Sequence, residues 1–204
     1  MINRLLYTTI FIFSVGVAAS HNNIANAGSA SDIVKSFQSN LLAVMKAAHH
    51  TSVRQRYDEL VPSISEHFHI PLMTQIVTGR HWSKAQPSEK ADAISAFKRM
   101  NVAILATLFN GYNGEIFKVL GERPGPSKTT IVSTHLVKTD KSKIKIAYVA
   151  GKFNSGWRLI DVVVDGGISE LKVRRSEYHL ILSKAGLSGL IRLLNDKADG
   201  LMSK

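Results

Sequence analysis

Few side chains in this sequence are placed for metal binding or catalysis. The chain has eight histidines and no cysteine. His49 and His50 are adjacent, which would send their side chains to opposite sides of a strand. His67 and His69 are two residues apart, which would place them about 200° apart around a helix, and neither pair suits one metal ion. No G-x-S-x-G segment marks a nucleophilic serine. The sequence therefore predicts no metal site, no catalytic site and no cofactor.

Asp161 is the most unusual charged residue, because it stands in the otherwise apolar segment 160–164. A buried carboxylate needs a partner. We expect Arg174 or Arg175 to form an ion pair with it that fixes a helix to a strand. Alternatively, one of these arginines binds a ligand phosphate through its planar fork of donors. In an enzyme, Asp161 and His135 would be the candidate acid and base.

The first 27 residues have the three parts of a secretory signal peptide. A positively charged start at 1–4 precedes an apolar run at 5–19, and Ala25-Asn26-Ala27 supplies the small-x-small pattern that signal peptidase recognises. The apolar run is shorter than a membrane-spanning helix. We predict a cleaved signal peptide at 1–27 and a single exported domain at 28–204, which folds without disulfides.

The chain is strongly basic, with a formal net charge of +11. Such a surface attracts nucleic acid, anionic lipid or an acidic protein, and export argues against nucleic acid. Seven cations fall between residues 127 and 160, against one aspartate: Lys128, Lys138, Lys141, Lys143, Lys145, Lys152 and Arg158. We expect them either to be ordinary solubilising charges or to form a docking surface.

Apolar residues recur at helical spacing in the first half of the sequence. The predicted helices cover about 32–48, 53–67, 71–79 and 89–109. Ser31 is the expected N-cap of the first helix, and Asn110-Gly111 ends the fourth.

From residue 115 the apolar period changes to two, which is typical of strands. The predicted strands cover about 115–122, 129–138, 143–150 and 157–164. Two more helices follow at about 169–184 and 187–197, with Gly186 between them. Short connections imply an antiparallel meander. We therefore predict an α+β fold with helices packed on a four-stranded, twisted antiparallel sheet.

Several short motifs, taken in order, resemble a known family. They are Tyr57-Asp58, Phe68-x-Ile70-Pro71-x-Met73, Gly79-Arg80-His81-Trp82, Phe109-Asn110-Gly111-Tyr112, Trp157-Arg158-Leu159-Ile160-Asp161-Val162, Gly167-Ile168-Ser169 and Arg175-Ser176-Glu177-Tyr178. Their order and spacing resemble the MlaC, or toluene-tolerance auxiliary, family of periplasmic lipid-binding proteins, and most of all its hopanoid-associated HpnM branch. The chain departs from the family at His69, where an aspartate is expected.

The resemblance implies a nuclear-transport-factor-like architecture that encloses an apolar cavity. It implies a monomeric, non-enzymatic periplasmic carrier of phospholipid. Such a carrier works between an outer-membrane lipoprotein complex and an inner-membrane ABC transporter with an MCE-type subunit. A hopanoid is the alternative cargo. Two different classes of protein also fit the sequence: an enzyme that uses the same cavity, and an interaction module that uses the basic face.

The residues expected to contact the lipid come from three elements. They are Leu105 and Phe109 on the long helix, Ile146, Tyr148, Leu159 and Val163 on the sheet, and Arg175 and Leu180 on the helix that follows. Ile146 and Tyr148 share one face of the third strand. The placement of Leu159 and Val163 depends on strand register, because a slip of one residue reverses the face.

Overall fold

The computed structural model describes residues 28–203, so the predicted signal peptide at 1–27 lies outside the described residues. The described chain combines α-helices with an antiparallel sheet, and the α+β prediction is confirmed. None of the helices between residues 28 and 203 has both the length and the apolar character needed to cross a membrane.

Within the described residues, five α-helices precede the sheet. They are α1 (Ala30–Ala47), α2 (Val53–His67), α3 (Ile70–Thr78), α4 (Arg80–Lys84) and α5 (Pro87–Leu108). The short α4 has no counterpart in the prediction, because one turn is too short to show a helical period. The cap of α1 is Ser29 and not Ser31. The Ser29 hydroxyl accepts a hydrogen bond from the Asp32 N–H, and the Asp32 carboxylate accepts one from the Ser29 N–H.

The sheet of the described chain has five strands in sequential antiparallel order. They are β1 (Ile116–Pro124), β2 (Thr130–Val137), β3 (Lys143–Phe153), β4 (Gly156–Val164) and β5 (Ile168–Ser169). The four predicted strands correspond to β1–β4. The prediction of four strands is corrected to five, since β5 is too short to show an alternation.

One long helical stretch, α6 (Glu170–Met202), contains both predicted C-terminal helices. Gly186 divides it, because its φ of 63° and ψ of −161° are not helical. A positive φ is easily adopted by glycine and strained for other residues. The predicted boundary at Gly186 is therefore confirmed as a break in the backbone.

The helices pack on the sheet face that carries Thr134 and Tyr148. α1 contacts β1, β2, β3 and β4, while α5 packs between α2 and α6. Phe37 of α1 meets Phe68 edge-on, with 4.9 Å between ring centroids, and meets Tyr148 of β3 at 6.1 Å. Such aromatic pairs add to the free energy gained by apolar burial. This layer between helices and sheet holds both the core and the site described next.

Candidate functional site

A cavity of about 760 Å³ lies between the helices and the sheet. Most of its wall is apolar and includes Phe37, Leu41 and Met45 from α1, with Ile144 and Ile146 from β3. The three α1 residues are four apart, so they lie on one side of the helix. A volume of roughly 300–1,000 Å³ is typical of pockets that enclose a small organic ligand. The cavity can therefore hold an apolar molecule away from water.

The cavity opens to solvent at a mouth formed by the end of α5, the segment before β1 and the end of β2. Leu108, Asn110, Asn113 and Lys138 line the cavity there and are exposed. Leu108 is 65% exposed although it is apolar. Arg174 also lines the cavity. The mouth thus combines polar and charged groups with an apolar interior, which suits an amphiphilic ligand.

A neutral polar network lies where α1 meets the sheet. The Gln38 amide donates hydrogen bonds to the Thr134 hydroxyl at 3.2 Å and to the Tyr148 hydroxyl at 3.4 Å. Tyr148 lines the cavity and is buried, and this burial raises the pKa of Tyr148 to about 12. The Tyr148 hydroxyl is therefore neutral at physiological pH and is not a base.

Four of the eight predicted lipid contacts line the cavity. They are Leu105 of α5, Phe109 at the C-cap of that helix, and Ile146 and Tyr148 of β3. The other four residues do not line the cavity, and the structure explains why for each of them: Leu159, Val163, Leu180 and Arg175.

A bulge in β4 explains why Val163 does not line the cavity. The register pairs Val149 with Asp161 and then Ala150 with Leu159, so Ile160 is an extra residue. An extra residue shifts the alternation of the strand. Val162 and Val164 therefore line the cavity, and Val163 does not.

Leu159 is fully buried in the core beneath the junction of α2 and α3. At this point the His69 N–H donates a 2.9 Å hydrogen bond to the Leu159 carbonyl oxygen, and Phe68 forms a parallel bridge with Leu159. The backbone at 68–69 thus pairs with the edge of β4, and the Leu159 side chain is part of the packed core and not of the cavity wall.

The two helix residues lie on other surfaces of α6. Leu180 is 61% exposed. Arg175 lies in a second, smaller pocket, whereas its neighbour Arg174 lines the main cavity. Successive residues on a helix point in directions about 100° apart, so the two arginines cannot face the same site.

The apolar wall contributed by α1 and α3 was not among the predicted contacts. Phe37, Leu41, Met45, Ile70 and Met73 line the cavity. The sequence signal for the α1 residues is their helical spacing, which predicts a buried face. That spacing does not distinguish a face that packs against other side chains from one that lines a cavity.

The predicted basic face is divided among several locations. Lys143 and Lys145 of β3 are exposed and alternate with the cavity residues Ile144 and Ile146, so they lie on the outer sheet face. Lys138 lies instead at the cavity mouth. Lys141 lies in the turn between β2 and β3 with a φ of 69°.

The candidate acid and base do not meet in the cavity. His135 is paired with Lys118 and Lys145 in the sheet register and does not line the cavity. Asp161 does line it. Among residues 28–203, no cluster of three or more His, Asp or Glu side chains could hold a metal ion.

Asp161 joins β4 to the start of α6 through hydrogen bonds, and the predicted ion pair with Arg174 or Arg175 is wrong. The Asp161 carboxylate accepts from the Ser169 hydroxyl at 2.6 Å and from the Leu171 N–H at 3.1 Å. Arg174 pairs instead with Glu170 and Glu177. A carboxylate at a helix N-terminus satisfies N–H groups that have no partner within the helix.

Asp161→Ala is expected to lower the free energy of unfolding by about 1–3 kcal/mol, because it leaves the Leu171 N–H and the Ser169 hydroxyl without their acceptor. Asp161→Asn keeps one oxygen acceptor and should lose less. Denaturant unfolding of the three proteins measures the difference. An Asp161→Ala midpoint equal to that of the unmodified protein would contradict this role.

Comparison with known proteins gives a matching family and solved structures of similar fold. The family model described as MlaC protein matches residues 35–196. The solved structure of a phospholipid-binding protein from Ralstonia solanacearum, in complex with a phospholipid, matches with a TM-score of 0.75 and 19% sequence identity. The match covers 85% of this chain and 99% of that chain. At this identity the likeness shows the fold. None of the curated proteins matches the chain.

Proposed function

This chain belongs to the MlaC family, whose model matches residues 35–196, and from this membership we propose that it is a lipid carrier without enzymatic activity. The observation that carries the proposal is the apolar cavity of about 760 Å³ that opens at a polar mouth. A lipid placed there keeps its chains among apolar side chains and its headgroup near water.

The energetics of lipid transfer support a carrier of this kind. Each CH₂ group exposed to water costs about 0.8 kcal/mol, so an uncovered pair of acyl chains is prohibitively unfavourable in water. We assign the contacts with the chains to the predicted residues that line the cavity: Leu105, Phe109, Ile146 and Tyr148. Val162 and Val164 take the place of Leu159 and Val163 in this set.

We propose a phospholipid as the cargo, bound as one molecule per chain. The Ralstonia solanacearum protein with a similar fold holds a phospholipid. In addition, the cavity lining includes the exposed Lys138 at the mouth, which carries no ion pair within the described residues and offers a positive charge to a phosphate there. The other lining cation, Arg174, is paired with Glu170 and Glu177. A hopanoid, suggested by the sequence motifs of the HpnM branch, is the alternative cargo.

We place the carrier in the periplasm, where it would move lipid between an outer-membrane lipoprotein complex and an inner-membrane ABC transporter with an MCE-type subunit. Family membership and the signal-like sequence at 1–27 support this proposal. The exposed Lys143 and Lys145 on the outer sheet face favour encounters with acidic partners or anionic headgroups, because complementary charge raises association rates.

Native mass spectrometry of the protein purified from its own periplasm tests the proposal. We expect one bound lipid per chain, and fragmentation of that lipid separates a phosphate headgroup from a hopanoid ring system. Lipid-free protein is then incubated with vesicles that contain phospholipid alone or phospholipid with hopanoid. Protein that is purified without bound lipid and then takes up neither lipid from the vesicles would contradict the proposed function.

A further inference from the structure

A second pocket lies between the junction of α3 and α4 and the first half of α6. Its volume is about 230 Å³, and it shares no lining residue with the lipid cavity. Val77, Thr78 and Leu182 are the buried members of its lining. Arg80, His81, Arg175 and His179 supply the rest of its wall together with Gly79. We call this site the cationic pocket.

The charge of the cationic pocket is not balanced by its own lining. It contains two arginines and two histidines, and no aspartate or glutamate lines it. In the part of the chain that the structure describes, these four side chains form no ion pair and no hydrogen bond with one another or with other residues. Arg174, next to Arg175, is by contrast paired with Glu170 and Glu177. The donors of the cationic pocket are therefore available to a ligand.

The backbone brings the Arg175 guanidinium close to the end of α3. Gly79 ends this helix with a φ of 55°, and a Cβ atom at Gly79 would lie 3.4 Å from a guanidinium nitrogen of Arg175. The missing side chain thus lets the guanidinium lie directly against the chain. His179 follows Arg175 by four residues, so both lie on the same side of α6.

The polar group in the floor of the pocket is already satisfied. The Thr78 hydroxyl donates a 2.8 Å hydrogen bond to the Thr74 carbonyl oxygen. Val77 and Leu182 are apolar. Recognition of a ligand would therefore depend on the cations of the wall, and the ligand would be an anion.

We propose that the cationic pocket binds a phosphate group. A guanidinium matches two phosphate oxygens with two parallel N–H donors, and each imidazole carries at least one further N–H donor. The phosphate comes either from an anionic membrane headgroup or from a free phosphate in solution. This site is separate from the lipid cavity, and it does not depend on the identity of the transported lipid.

The first measurement is a titration of the ¹⁵N-labelled, lipid-loaded protein with inorganic phosphate at constant ionic strength, followed by NMR. We expect saturable shifts of the Gly79, Arg80 and His81 amide signals. The same protein is then mixed with phosphatidylglycerol vesicles and with phosphatidylcholine vesicles. Shifts of the same amides with phosphatidylglycerol assign the phosphate to an anionic membrane headgroup, and shifts with inorganic phosphate alone assign it to a soluble ligand.

Three variants test the residues of the site. Arg175→Gln should weaken phosphate binding roughly tenfold, since it removes the charge and the paired donors. Arg175→Lys keeps the charge without the fork and should give an intermediate affinity. Lys184→Gln removes the same charge from the same helix, about two and a half turns further along and on the opposite side from Arg175. It should bind phosphate like the unmodified protein.

Lipid content is measured on the same samples, so that loss of the cargo and loss of the phosphate site are separate results. Arg175 is exposed and makes no hydrogen bond within the described chain, so Arg175→Gln should retain its fold and its lipid. The proposal is overturned if phosphate and both kinds of vesicle leave the three amides unshifted. It is equally overturned if Arg175→Gln binds as tightly as Lys184→Gln.

Discussion

Ile146→Trp is expected to weaken lipid binding about tenfold or more and to yield protein purified largely without lipid. Ile146 lies in the middle of β3 and lines the cavity, opposite Thr134 on one side and Val164 on the other. An indole at this position occupies space that the lipid would fill. Overpacking costs about 1–3 kcal/mol, and each 1.4 kcal/mol is about a factor of ten in affinity.

The next residue along the strand provides the matched control. Ala147 pairs with Ser133 and Val163, none of which lines the cavity. Ala147→Trp therefore adds a larger side chain to the outer sheet face, one residue away in sequence. We expect this variant to keep its lipid. Native mass spectrometry gives the bound fraction for both proteins, and equal lipid content in the two would show that the cavity is not the lipid site.

The fold was largely predictable because its long elements repeat their pattern several times. α2 and β3 each contain enough apolar positions for a period of 3.6 or 2 to be distinguished. The short elements α4 and β5 contain less than two periods, so no pattern distinguishes them from loops. Gly186 was recognisable because it interrupts a helical pattern with a residue that adopts positive φ easily.

The site was predictable only in part, because its geometry depends on a single extra residue. Leu105 and Ile146 lie on faces that follow directly from the helix and strand periods. The faces of the strand positions after Ile160 do not follow from the strand period. Because of the bulge, Val162 and Val164 face the cavity and Val163 faces away from it. Nothing in the residues of β4 marks the bulge, because the segment 160–164 would suit a regular strand equally well.

The burial of Arg56 in α2 could not be predicted from the sequence pattern either. Arg56 is 7% exposed, and its guanidinium donates hydrogen bonds to the Ala106 and Thr51 carbonyl oxygens. The Ala106 carbonyl belongs to the last turn of α5, where carbonyl groups lack partners within the helix. The positive charge also lies at the negative end of that helix. Arg56 thus holds α2 to the end of α5, next to the cavity residues Leu105 and Phe109.

Arg56→Ala is therefore expected to lower the free energy of unfolding by about 3 kcal/mol, because it leaves two carbonyl groups without their charged donor and opens space in a packed site. For a domain of this size the melting temperature should fall by roughly 6–12 °C. Calorimetry measures both quantities. The matched control is Arg54→Ala on the same helix, which removes an exposed ion pair with Asp58 and a cation–π contact with the Tyr57 ring. It should cost about 1 kcal/mol or less.

The same substitution should also affect the cargo. Without the hydrogen bond from Arg56, we expect the end of α5 to become more mobile. This end of the helix forms part of the wall and mouth of the cavity, through Leu105, Leu108 and Phe109. We expect Arg56→Ala to lose bound lipid to acceptor vesicles faster than Arg54→Ala, at a temperature where both remain folded. If Arg56→Ala melts at the lower temperature but releases lipid at the same rate as Arg54→Ala, then Arg56 stabilises the fold and does not help to retain the lipid. Faster release in the folded state would instead make the contact between α2 and α5 part of the lipid-retaining structure.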